Sequence, residues 1–133
     1  MTEAIITLSL IAILSAIAVP QLGSLVKNFR LKGATSLVCG DLENAKVTAI
    51  KENRSIRIDF NSTSYNFTRV DTGKTILTRN LAEEYPNITV AKDGGGSITF
   101  GSTGLTQSAT ITVQGPAGVK IITVIWTGRI KTQ

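Results

Sequence analysis

Residues Ala4 to Val26 carry no charged side chain, and no other feature of this 133-residue chain restricts its folding as much. From Ala4 to Val19 the run is almost wholly Ile, Leu, Ala and Val. As an α-helix, 23 residues extend about 35 Å, against a hydrocarbon core of about 30 Å. The segment is therefore long enough to span a bilayer. A secretory signal would place basic residues ahead of its apolar run, whereas Met1-Thr2-Glu3 supplies an acid. A core helix that is apolar all round needs a larger protein to cover it. A membrane or filament helix is the better reading. Residues 1–26 form this unit, and 27–133 form a polar head.

Two residues stand out in the apolar segment. Glu3 is an acid at the start of a membrane helix, where an ionised group is costly without a partner. Pro20 removes a backbone donor, which predicts a kink or a local loosening. Glutamate, an aliphatic run and the closing Ala-Ile-Ala-Val-Pro resemble the N-terminus of type IV pilins and type II secretion pseudopilins. There a prepilin peptidase trims a basic leader, the new N-terminal residue is methylated, and a proline follows the glutamate at the spacing of Glu3 and Pro20. Both residues stand two places earlier here than in the family. The resemblance therefore implies two residues and a leader ahead of Met1.

Lys27, Arg30 and Lys32 follow the apolar run. Taken alone, the positive-inside rule puts the head in the cytoplasm. The resemblance instead implies a single-pass protein of the bacterial inner membrane with its head in the periplasm, the leader supplying the inner positive charge.

Beyond Pro20, Leu22, Leu25, Val26, Phe29, Leu37, Val38, Leu42, Ala45, Ala49 and Ile50 recur at spacings of three and four, the helical period. Lys27, Asn28, Lys32, Asp41, Glu43, Lys46 and Glu52 are expected on much of the opposite face. Gly23, Gly33 and Gly40 each weaken the pattern by about 1 kcal/mol against Ala. The amphipathic helix occupies 27–54, so one helix covers most of 2 to 52. From Arg30 to Arg54 the chain resembles the GspH/FimT branch in particular, through an aspartate-leucine pair (Asp41-Leu42), an alanine-isoleucine pair (Ala49-Ile50) and an asparagine-arginine ending (Asn53-Arg54).

From Ser55 the period drops to two, and 55–133 is β-rich: Ile56, Ile58 and Phe60 alternate with Ser55, Arg57 and Asp59. Tyr65, Phe67 and Arg69 follow a turn at 61–64, and Asp71-Thr72-Gly73 turns again. Short strands are expected near 75–79, 87–91 and 97–100. A longer pair, 109–114 and 119–126, is joined by Gly115-Pro116-Ala117-Gly118, and Thr127-Gly128 leads into Arg129-Ile130-Lys131. The fold class is α+β and pilin-like, a long N-terminal helix packed on an antiparallel β-sheet head.

Composition removes most catalytic chemistry. There is no histidine and one cysteine, Cys39, so Ser-His and Cys-His nucleophile pairs, histidine metal ligands and intrachain disulfides are excluded. Gly73-Lys74-Thr75 resembles the end of a phosphate loop but lacks its upstream glycine, which is Thr68 here. Glu83 and Glu84 are adjacent and would diverge on a strand, so they make no acid/base pair. No catalytic or metal-binding residue, cofactor or small-molecule substrate is expected.

The net charge of +5 favours anionic partners or simply marks a soluble basic head. Arg129 and Lys131 lie two apart on an expected strand and point the same way. With Lys120 nearby, they form a candidate basic patch. Some FimT-type minor pilins bind DNA through Gly-Arg-x-Arg; Gly128-Arg129-Ile130-Lys131 is similar, with lysine losing the bidentate fork. The resemblance implies a structural minor pseudopilin or pilin, not an enzyme. Its partners are other pilins in a hetero-oligomeric filament, the inner membrane and a prepilin peptidase, with Glu3 and Pro20 as assembly residues. The alternative is a DNA-binding minor pilin for DNA uptake. A plain anchored domain with no assembly role is a third reading.

Overall fold

The computed structural model describes residues 1–133. One helix, α1, runs unbroken from Thr2 to Glu52. Pro20 lies inside it and leaves the Ala16 carbonyl without its usual N–H donor, yet the helix continues. Gly33 has a packing reason: the Tyr85 ring sits where a β-carbon would project. The helix stops at Asn53, which adopts the left-handed conformation at φ 53°. The Arg54 N–H then reaches back to the Ala49 carbonyl at 3.0 Å, and the Asn53 N–H to Ile50 at 3.2 Å, closing a Schellman-type end. The asparagine-arginine ending is thus a helix terminator.

The head follows as β1 (Ile56–Phe60), β2 (Ser64–Arg69), β3 (Thr75–Asn80), α2 (Leu81–Glu84), β4 (Thr89–Lys92), β5 (Ser97–Phe100), β6 (Ala109–Gly115), β7 (Gly118–Val124) and β8 (Ile130–Thr132). The strands divide between two four-stranded sheets, ordered β3-β2-β1-β5 and β4-β6-β7-β8, with every pairing antiparallel. The link Asp93–Gly96 carries the chain from the second sheet back to the first.

Glu83 and Glu84 lie on α2, not on a strand. Asn80 explains the change: its side chain accepts from the Ala82 N–H at 3.2 Å and donates to Glu83 at 2.9 Å, capping a single helical turn.

One core joins the helix to both sheets. Ala34, Val38, Leu42 and Ala49 pack with Ile56, Ile58, Phe100, Ile111, Ile122 and Val124, all nearly inaccessible to solvent. Strand alternation produces this: the inward residues of β6 and β7 are Ile111, Val113, Ile122 and Val124. Tyr65 stands between Phe60 and Phe67, each ring centre 5.8 Å away.

The exposed helix and its root in the head

Every residue from Met1 to Arg30 is exposed, and burial begins at Leu31. Leu22, Leu25, Val26 and Phe29 continue the helical apolar pattern, but the head does not reach them; Phe29 is 63% exposed. Thr7 donates to the Glu3 carbonyl at 2.9 Å, Ser9 to Ile6 at 2.8 Å and Ser15 to Ile11 at 2.7 Å. These three hydroxyls are therefore satisfied within the helix, as an apolar surrounding demands. Glu3 lies in the first turn, where a negative charge suits the helix dipole.

The root of this helix is fastened by a set of polar contacts that periodicity alone did not reveal. Asp41 was expected on the polar face but is buried. The Tyr65 hydroxyl donates to its Oδ2 at 2.7 Å, while Arg79 donates from Nε to Oδ2 at 3.1 Å and from Nη2 to Oδ1 at 3.3 Å. Arg79 also donates to Glu84 at 3.3 Å. Burial, with the Asp41 carboxylate next, pushes the Tyr65 phenol well above its ordinary range. The hydrogen bond to Asp41 raises the Arg79 guanidinium further above its own. A signal existed in the sequence: Asp41 lies three residues after Val38 and four before Ala45, on the buried stripe.

A second clamp lies one helix end away. Arg69 makes a two-pronged contact with Glu52, Nε to Oε2 at 2.7 Å and Nη2 to Oε1 at 2.6 Å. The Arg69 hydrogen bond holds the Glu52 carboxyl below the usual carboxylate range. Arg54 pairs with Asp71 beside it. Cys39 is half-buried, and burial, with Glu43 adding to it, pushes its thiol upward, which disfavours the nucleophilic thiolate.

The three basic candidates do not share a face. Ile125–Arg129 closes a tight turn, with Gly128 at φ 76°. Lys131 pairs with Thr123 on β7. Lys120 is three residues from Thr123, so alternation sends it to the other side of the sheet. There it lines a groove against α1 together with Ile130 and Thr132. Arg129 and Lys131 are both exposed and remain neighbours on the outer face.

A long exposed apolar helix rooted in an antiparallel head is the architecture of the type IV pilin class. The solved structures agree in fold. The type IV minor pilin FimU of Pseudomonas aeruginosa superposes with a TM-score of 0.67 at 14% identity, covering 82% of this chain and 92% of that one. The minor pseudopilin EpsH of the Vibrio cholerae type II secretion system gives 0.62 at 14% identity, covering 80% and 94%. No curated protein matches the chain. The family described as Type II transport protein GspH matches residues 34–128, and the chain belongs to that family. Its role is structural, as a pilin-like subunit assembling with other pilins in a pseudopilus or pilus, with an apolar helix for membrane anchoring and a soluble head.

Proposed function

We propose that this protein is a minor subunit of a type II secretion pseudopilus or a type IV pilus, held single-pass in the bacterial inner membrane by residues 1–26, with its head (27–133) in the periplasm. The observation that carries this reading is the complete exposure of an uncharged helical segment continuous with the head. Such a surface needs lipid or other helices around it. The subunit waits in the bilayer and is then drawn into the filament, its helix exchanging lipid for the helices of neighbours. A prepilin peptidase trims its precursor.

Glu3 neutralises the N-terminal amine of an adjacent subunit, since an unpaired carboxylate in an apolar filament core is costly. Pro20 loosens the rod near the end of the apolar run, where the chain leaves the membrane. The test is Glu3→Ala, assayed by membrane fractionation and by recovery in sheared filaments. The variant should stay in the membrane and be lost from filaments. Undiminished incorporation would overturn the assembly role.

A DNA-uptake role rests on Arg129 and Lys131 alone, both exposed and without an acidic partner within 4.0 Å. Lys120, on the other face, adds nothing to that pair.

A further inference from the structure

The strand β8 is the open edge of the second sheet. Its own backbone bonds show which groups are free. Ile121 and Gln133 exchange both hydrogen bonds, at 3.2 and 2.8 Å, and the Ile125 N–H donates to the Arg129 carbonyl at 2.9 Å. Antiparallel pairs alternate, so Arg129, Lys131 and Gln133 turn their N–H and C=O groups toward β7. Ile130 and Thr132 turn theirs outward, toward no strand. An edge offering donors and acceptors in alternation is a template for one more strand.

This edge has two further properties. It borders a groove of about 610 Å³ between β8 and α1. The helix wall of that groove has small side chains at its centre, Thr35, Ser36, Cys39 and Gly40, between Lys32 and Glu43 at its ends, and nothing lies within 4 Å of where a Gly40 side chain would begin. A chain added beside β8 therefore finds room next to the helix.

Charge surrounds the edge on both faces. Lys32 and Lys120 line the groove, and Arg129 and Lys131 occupy the outer face. None of the four has a carboxylate within 4.0 Å, whereas the groove's own acid, Glu43, is offset by Lys46 at 4.0 Å. Residues of an added strand alternate between the two faces, so acids on either face would meet a cation. A nucleic acid backbone offers only acceptors and would leave the edge carbonyls unused.

We propose that β8 and its groove dock an extended, acid-bearing segment of a partner protein by strand addition, enlarging the second sheet to five strands. The surface belongs to the head alone and does not rest on the filament reading. Its failure and the failure of the Glu3 test are therefore separate results.

The experiment uses the full chain in non-ionic detergent and three eight-residue synthetic peptides. One alternates Val and Thr with Asp and Glu, the second replaces the acids by Lys, and the third carries a central Pro. Fluorescence anisotropy should show the acidic peptide binding at least tenfold tighter than the other two. In the wild-type protein, its binding should slow amide exchange at Ile130 and Thr132, with little change at Lys131. Thr132→Pro removes an outward N–H without touching the β7 pairing and should weaken binding at least fivefold. Lys32→Glu with Lys120→Glu should weaken it tenfold or more. Equal binding of the acidic and basic peptides overturns the proposal, as does unchanged exchange at Ile130 and Thr132. So does a double-stranded DNA oligonucleotide that binds in preference and protects none of those amides.

Discussion

Replacing Asp41 by Ala should lower the unfolding free energy of the head by about 3 kcal/mol, and most of that loss should come from one stranded hydroxyl. The Tyr65 phenol is buried and donates only to Asp41. Leaving such a group without a partner costs about 2 kcal/mol. Arg79 loses two hydrogen bonds but keeps Glu84, and its side chain is 28% exposed, so water recovers part of the loss and about 1 kcal/mol remains. Tyr65→Phe alone should cost about 1 kcal/mol, since Asp41 retains Arg79 and the ring stays between Phe60 and Phe67. In the double variant no hydroxyl is stranded. It should therefore be about 1 kcal/mol more stable than Asp41→Ala, a coupling of about 2 kcal/mol. Guanidinium unfolding of the full chain in non-ionic detergent, followed by near-ultraviolet circular dichroism, measures all four proteins. Additive losses, or a double variant weaker than Asp41→Ala, would refute the assignment of the cost to Tyr65.

Two further outcomes concern the same head. The Glu52 carboxyl is lowered from 4.5 by Arg69, so its contribution is complete above that value and is lost as pH falls through the folded value. Denaturation midpoints between pH 6 and 2 should show this acid-side loss in the wild type and a shallower one in Glu52→Gln; identical profiles would discount the clamp. Gly128→Ala places a β-carbon against the Gly104 carbonyl at φ 76° and should cost about 2 kcal/mol or more. The same unfolding assay reads that change, and a neutral result would mean that the turn relaxes freely.

The class of fold was legible because its signals are one-dimensional. An uncharged run, a glutamate and proline at a set spacing, and a period that changes from 3.6 to two at Ser55 all lie along the chain. The helix end was legible as Asn53-Arg54 without its reason, which is a left-handed residue followed by a returning N–H. What escaped depended on the third dimension. Asp41 reads as a surface acid until Arg79 and Tyr65, brought by β3 and β2, surround it. Lys120 reads as a neighbour of Lys131 until the register opposite Thr123 reverses its side. The division of the strands into two sheets depends on three crossings, after β3, β4 and β5, which no local pattern encodes. Glu83-Glu84 lies on a helical turn because Asn80 caps it, a contact that strand alternation does not signal.

The unbroken course of α1 has a mechanical meaning. From Leu31 to Glu52 the helix lies along the head, a contact of about 33 Å, and the same helix runs on through Pro20 into the apolar segment. A pull on that segment, along the rod's axis, loads the interface in shear. Its packed side chains and the contacts at Asp41 and Glu52 then resist together instead of failing one after another. The head is carried like a blade on its tang, and its bearing follows from how the rod is seated.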